Sequence, residues 1–221
     1  MTALTVAPEV RDLGIPVRGM LFADLHQDRA ARVDEAVAAG VAQMWGQTIE
    51  LAVEGDPTLQ GYRSLHAQVG ARARDTAAPE ALRRMVIARG ALPRISPVVD
   101  LYNVVSLRTA IAFGAHDLTA IDGAVTLRLT DGSERFVPLG ASEPARVRVG
   151  EYAYVDDAMD VLCRLEVRQG DKSKVAVSTT ECLIIVQGNP DTGMRPVQSA
   201  ADELADLIER CIGGRFVDAV T

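Results

Sequence analysis

Apolar residues recur at helical spacing through the first half of the chain and at every second position through much of the second half. Two short extended pieces, Leu4–Ala7 and Val17–Phe22, open the sequence. From about Asp28, Val33, Val37, Val41, Met44 and Trp45 fall four, four, three and one apart, the period of one helix face. Asp56-Pro57 supplies an N-cap and a first-turn proline for a helix carrying Leu59, Tyr62, Leu65 and Val69 and ending at Gly70. Pro79 starts another through Leu82, Met85 and Val86, stopped by Gly90. Ser96-Pro97 repeats the cap-and-proline signal before Leu101, Val104 and Val105, and Gly114-Ala115-His116-Asp117 reads as the end of that helix.

After residue 124 the period becomes two. Val125, Leu127 and Leu129 alternate with Thr126, Arg128 and Thr130, and Asp131-Gly132 predicts a hairpin into Arg135–Leu139. Glu151–Val155 and Val161–Val167 read as a second antiparallel pair around Asp156-Asp157. In the latter strand Val161, Cys163, Leu165 and Val167 share one face, and Leu162, Arg164, Glu166 and Arg168 the other. Lys174–Val177 and Cys182–Val186 read as a third pair, and Ser199 as the cap of a C-terminal helix with Leu204, Leu207, Ile208, Cys211 and Ile212, closed by Gly213-Gly214. Helices followed by mostly antiparallel strands and a last helix define an α+β fold. One domain over 1–221 is expected, with strands and a helix over 1–54, a core over 55–190 and the last helix over 191–221.

Composition narrows the function classes. The 221 residues are 48% hydrophobic and 24% charged, and no apolar run reaches the ~20 residues of a membrane span. No basic-then-apolar start resembles a signal peptide, so a cytoplasmic location is expected. Cys163, Cys182 and Cys211 are odd in number, lack CxxC spacing and sit within apolar patterns, as reduced thiols do. His26, His66 and His116 are scattered, so no zinc motif is present and no metal or other cofactor is expected. The net charge of −7 argues against a nonspecific nucleic-acid coat. Its distribution is uneven, however. Residues 60–95 hold seven arginines, Arg83 and Arg84 among them, against Asp75 and Glu80, which leaves the rest of the chain at −12. That segment is either a solvated helix face or a contact for a structured polyanion such as tRNA.

No nucleophile elbow, P-loop or dinucleotide fingerprint occurs. Asn103 and Ser106, three apart in an apolar helix, either satisfy a loop backbone or line a pocket. His116 and Asp117 offer an acid–base pair, although Asp117 suits a cap for backbone N–H groups equally well. Arg128, Arg164 and Arg168 oppose aliphatic faces on their strands, where ion-pair ladders with Glu166 and Asp157 compete with recognition of a carboxylate, phosphate or ribose.

Several interrupted motifs, in order, carry a resemblance. Val99-Asp100-Leu101-Tyr102-Asn103-Val104-Val105-Ser106-Leu107 and Gly114-Ala115-His116-Asp117-Leu118 are similar to the signature of the B3/B4 domain of the phenylalanyl-tRNA synthetase beta subunit. So are Leu127-Arg128, Phe136-Val137-Pro138-Leu139-Gly140, Gly150-Glu151-Tyr152-Ala153-Tyr154-Val155-Asp156, Cys163-Arg164, Arg168-Gln169 and Thr179-Thr180. Upstream, Tyr62-Arg63 and Leu92-Pro93-Arg94-Ile95 resemble stand-alone versions, and the similarity spans about residues 55–190.

In the synthetase this domain hydrolyses tyrosine wrongly esterified to phenylalanine tRNA. The 221 residues hold no room for an aminoacylation core, so the resemblance implies a trans-acting aminoacyl-tRNA deacylase that binds the tRNA acceptor end between a helical and a strand lobe. Phenylalanine tRNA is the first candidate substrate. By the same resemblance Asn103 and the Gly114 backbone hold the terminal adenosine or the ester carbonyl, with His116 and Asp117 beside them. Asp156 or Asp157 reads the amino-acid side chain, Thr180 lines the same wall, and Arg128 and Glu151 bind or support. From the basic segment, Arg83 and Arg84 are the expected tRNA contacts unless that segment is only a solvated face. Bacterial synthetases carry a histidine near the position of Gly114, whereas here His116 lies two residues on. Ser173 replaces a common threonine, which leaves the edited side chain open. The competing readings are a non-catalytic protein that binds tRNA or an amino acid in a retained pocket, and a hydrolase of another small ester or amide.

Overall fold

The structure is a computed structural model and describes residues 2–28 and 30–220. In chain order its elements are β1 (Leu4–Val6), α1 (Pro8–Arg11), β2 (Val17–Ala23), α2 (Ala30–Met44), a π-helical turn (Glu50–Glu54), α3 (Pro57–Gln68), α4 (Ala78–Arg89) and α5 (Pro97–Thr109). There follow β3 (Ala112–Asp117), a 3-10 turn (Leu118–Ala120), β4 (Val125–Leu129), β5 (Tyr152–Asp156), β6 (Val161–Arg164), β7 (Arg168–Gln169), β8 (Cys182–Gln187), α6 (Met194–Ile212) and β9 (Arg215–Val220).

The unbroken apolar run of β8 has no polar face to offer solvent, and the fold gives it none. β8 lies inside a four-stranded antiparallel sheet of order β3-β8-β2-β9. Ile184 and Val186, with Met20 and Phe22 of β2, pack into a core with Val33 and Val37 of α2, Leu101 and Val105 of α5, and Leu204 and Ile208 of α6. Leu183, Ile185 and Leu21 belong to a second core with Leu127, Tyr152, Tyr154 and Leu162. Those partners come from a five-stranded sheet of order β1-β4-β5-β6-β7, parallel only at β1–β4. The layers are therefore helices, sheet, sheet, and the fold is α+β. A small third cluster of Phe136, Val147, Ala153, Val155 and Val161 seats the long 130–150 connection on the second sheet.

Local chemistry sets the helix starts. Asp56 Oδ1 accepts from the backbone N–H groups of Thr58 and Leu59, and prolines open α3, α4 and α5. Gly90 ends α4 at φ +65, with the Trp45 ring 3.0 Å from where a Cβ would stand, so only glycine fits that cap. Of the helix expected from Asp28, residue 29 lies outside the described residues, and Trp45 falls beyond the end of α2.

Six expectations change. Gly114–Asp117 does not end a helix; Ala110 does, at φ +59, and the following residues form β3. Asp131-Gly132 turns the chain, but Glu134 folds back to accept from both their N–H groups, and residues 135–139 form no strand beside β4. β4 pairs instead with β1 and β5. Lys174–Val177 is likewise no strand, because β2 and β3 already occupy both edges of β8. The alternation from Val161 to Arg168 stops at Arg164, where Leu165 and Glu166 turn left-handed at φ +53 and +43. Ser96 precedes α5 without a side-chain cap bond. Finally, α6 begins at Met194 rather than Ser199, tolerating Pro196 in its first turn, and is followed by β9, which the sequence pattern did not signal.

Candidate functional site

A cleft of about 360 Å³ opens between α4, α5 and the β3–β6 side of the sheets. Helical spacing explains the α5 wall: Val99, Tyr102, Asn103 and Ser106 recur three, one and three apart on one stripe. Facing them are Phe113, Gly114 and His116 of β3 and Cys163, Glu166, Arg168 and Gln169 from the β6–β7 turn. The Tyr102 and Phe113 rings lie stacked, 6.2 Å between centroids. Beneath the cleft a narrow chamber continues between Gly114, His116, Glu166, Tyr154 and Gln187.

Glu166 sits at the inner end of the cleft because of its backbone. The consecutive left-handed residues cost about 1–3 kcal/mol each and swing its carboxylate inward instead of along the strand. There Oε1 meets His66 Nε2 at 2.5 Å, while Oε2 accepts from Tyr152 OH at 2.6 Å and Gln187 Nε2 at 2.7 Å. Tyr154 OH donates to Gln187 Oε1 at 2.7 Å and extends the network. His66 Nδ1 faces the Asp75 carbonyl at 3.1 Å, so both ring nitrogens face acceptors, an arrangement that favours the protonated ring. Burial alone would lower its pKa, but the hydrogen bond and charge of Glu166 outweigh that and raise it. Three side chains thus fix the Glu166 carboxyl in place. Tyr62 braces the same region: its hydroxyl donates to the Gln187 carbonyl and accepts from Ala112 N–H.

His116 behaves oppositely. Its side chain is buried, Nδ1 pairs with Ser173 Oγ at 2.9 Å, and Nε2 has no partner. Burial pushes its pKa down to about 4, so the ring is neutral at physiological pH. Gly114 has no side chain to cover Nε2; a Cβ there would stand 3.5 Å from it. Asn103 is buried, lines the cleft, and its amide makes no hydrogen bond among the described residues. Ser106 instead donates to the Ile111 carbonyl at 2.7 Å and secures the turn into β3.

Of the residues singled out from sequence, Asn103, Ser106, Gly114, His116, Glu166 and Arg168 thus line one cavity. The remaining candidates lie elsewhere. Asp117 leaves His116 and caps the 3-10 turn, accepting from Thr119 N–H, Thr119 Oγ1 and Thr179 Oγ1. These bonds outweigh burial and hold its carboxyl below the usual range. Arg128 pairs with Glu134 at 2.5 Å, and Glu151 with Arg164 at 2.8 Å. Asp156 is buried with Asp160 and the exposed Asp122 around Lys172 Nζ, at 2.6 to 2.8 Å, so an ammonium fills the space between three carboxylates. Asp157 accepts from Ala124 N–H, and Thr180 is exposed, its carbonyl taken by Leu25 N–H.

The basic segment also changes. Arg83 is buried and donates to the carbonyls of Ala52, Leu107 and Arg108 and to Asp56 Oδ2, so it cannot face tRNA. Arg84 and Arg63 pair with Glu80 and Glu54, and Arg94 with Asp34 and Asp100. Most of the local positive charge is neutralised by acids from neighbouring elements.

Fold and site together define a layered α+β domain with a polar-ended cleft. The B3/4 domain family model matches residues 61–213, and the chain belongs to that family. No curated protein matches the sequence. Among solved structures, an N-terminal fragment of the phenylalanyl-tRNA synthetase beta subunit from Pyrococcus horikoshii is similar over 97% of this chain and 50% of its own, with a TM-score of 0.55 and 14% identity. The chain therefore spans half of that fragment and shares its fold. No helix among the described residues is long and apolar enough to cross a membrane.

Proposed function

We propose that the domain hydrolyses the ester of a misacylated tRNA, with phenylalanine tRNA the first candidate. The observation that carries this reading is the convergence of three differently poised groups on one cavity: neutral His116 with a free Nε2, the unpartnered Asn103 amide, and the Glu166 carboxylate. An aminoacyl ester presents a complementary set. Its α-ammonium suits Glu166, whose Oε1 is engaged only by His66. Its carbonyl oxygen, which gains charge as water attacks, suits the Asn103 N–H. When Nδ1–H is donated to Ser173, Nε2 presents a lone pair that orients the attacking water and accepts its proton. The stacked Tyr102 and Phe113 give a flat apolar wall for a base or an aromatic side chain. The ribose is a fair leaving group, so positioning and oxyanion stabilisation meet the demand without a covalent nucleophile.

The test is single-turnover hydrolysis of a panel of charged tRNAs by the wild type and Asn103→Ala, with no synthetase present. At least one ester should be cleaved well above the buffer rate. Asn103→Ala should lower that rate about 10²-fold at unchanged thermal stability, the loss expected of one oxyanion donor. Cleavage of none sinks the reading, and calorimetric binding of free amino acids without turnover would support a binding protein instead.

A further inference from the structure

Beside the cleft lies a basin of about 410 Å³ into which six arginines turn: Arg72, Arg74, Arg146, Arg148, Arg164 and Arg168. Leu139 and Arg168 line both spaces, so basin and cleft adjoin. No acidic residue lines the basin. Behind it Asp75 and Glu151 compensate part of the charge: Arg164 contacts both, at 3.3 and 2.8 Å, Arg72 grips Asp75 at 3.0 Å, and Arg148 reaches Glu151 at 4.0 Å. Arg74, Arg146 and Arg168 are exposed and have no carboxylate within 4.0 Å among the described residues. Two carboxylates therefore face six guanidinium groups on a chain whose net charge is −7.

This concentration is built by tertiary structure. Arg72 and Arg74 follow α3, Arg146 and Arg148 belong to the 130–150 connection, and Arg164 and Arg168 end β6 and begin β7. Backbone bonds Leu139 N–H to Gln169 O and Ala145 N–H to Phe136 O hold the connection in place, and Phe136 and Val147 anchor it in the small core. Guanidinium forks recognise phosphate oxygens through paired hydrogen bonds. A concave patch with excess positive charge on a repelling surface also orients a polyanion on approach. A flexible single strand follows such a concavity, which a rigid duplex spans without entering.

We propose that this basin is a phosphodiester subsite, which takes the backbone phosphates of the single-stranded RNA 3′ segment whose terminal residue enters the cleft. The assignment rests on the ester-hydrolase reading of that cleft. It moves the RNA contact away from Arg83 and Arg84 to arginines scattered over three parts of the sequence.

Fluorescence anisotropy of the full chain with a labelled single-stranded RNA tetranucleotide tests it. Arg146→Ala/Arg168→Ala should weaken binding about tenfold near 0.1 M salt and lower the slope of log affinity against log salt by about 1.4, or ~0.7 per lost phosphate contact. Arg89→Ala removes an exposed arginine outside the basin and should change affinity less than about twofold. A double variant that binds like the wild type, or an Arg89→Ala loss of equal size, overturns the proposal. So does equal affinity for inorganic phosphate and tetranucleotide, or for duplex and single strand. Ester cleavage by the wild type, measured in parallel, separates the two claims. Cleavage with no effect of the double variant defeats the basin alone, whereas RNA binding lost in the double variant with no ester cleaved defeats the hydrolase reading alone.

Discussion

Replacing Arg83 with alanine removes a guanidinium that ties four elements together. It donates to Ala52 O at 2.8 Å, Leu107 O at 2.8 Å, Arg108 O at 3.1 Å and Asp56 Oδ2 at 2.6 Å. Leu107 and Arg108 lie in the last turn of α5, whose carbonyls have no partner within the helix. Asp56 is the cap of α3, so the same side chain links the end of one helix to the start of another. Truncation leaves three carbonyls and a carboxylate without their donor. Each unsatisfied group costs about 1–3 kcal/mol, and breaking a buried ion pair about 3–5 kcal/mol; these overlap, because water enters the space vacated. A net loss of about 3–5 kcal/mol follows, which for a chain of this size lowers the melting temperature by about 10 °C or more. Arg83→Lys should fall between, since an ammonium carries three donors and no planar fork. Urea denaturation reads the difference directly as a shifted midpoint at constant slope. A loss below about 1 kcal/mol, accompanied by weaker RNA binding, would refute the buried placement.

The two buried histidines should give stability opposite pH dependences. His116 stays neutral in the folded chain down to about 4, while in the unfolded chain it protonates below 6.5, so stability falls by about 3 kcal/mol as pH drops across that window. His116→Asn should flatten this limb in pH-dependent denaturation; an unchanged slope contradicts the burial assigned to the ring. His66 has a raised pKa, so its contribution is complete below 6.5 and fades as pH rises through the folded value, a decline that His66→Gln should abolish. Lys172→Met strips the ammonium from Asp122, Asp156 and Asp160 and should cost about 2–4 kcal/mol at pH 7, with less loss at pH 2, because Asp160, held below the usual carboxylate range by its bonds to Arg135 and Lys172, gives up its share as it protonates. Thermal melts at the two pH values check it.

The starts of α3, α4 and α5 were legible because they are local: Asp56-Pro57 carries its cap and its fixed φ in adjacent residues. The cleft was partly legible, since Asn103 on an apolar stripe and a small Gly114 are visible without coordinates. Arg83 was legible too, had helical phase been weighed against charge. It stands four residues after Pro79 and three before Val86, on the buried stripe of α4. What the sequence hid depends on distant partners. Asp131-Gly132 does turn, with Gly132 at φ +90, yet the strand beside β4 is chosen by the second core and not by the turn. Glu166 reads as a strand residue beside arginines because the alternation runs on to Val167, three residues past the end of β6 at Arg164. No local signal marks two non-glycine residues that adopt left-handed φ under tertiary constraint. The arginine basin is likewise invisible in a running charge sum, because its members come from three separate segments.

The central claim is that Asn103, His116 and Glu166 form one ligand site. A crystal structure with a non-hydrolysable 3′-aminoacyl-adenosine analogue tests it most directly. The account predicts the α-ammonium against Glu166, the acyl carbonyl at Asn103, and His116 Nε2 facing the acyl carbon across Gly114. Analogue bound outside this cleft, as in the neighbouring cavity lined by Arg63, His66 and Arg72, would contradict it.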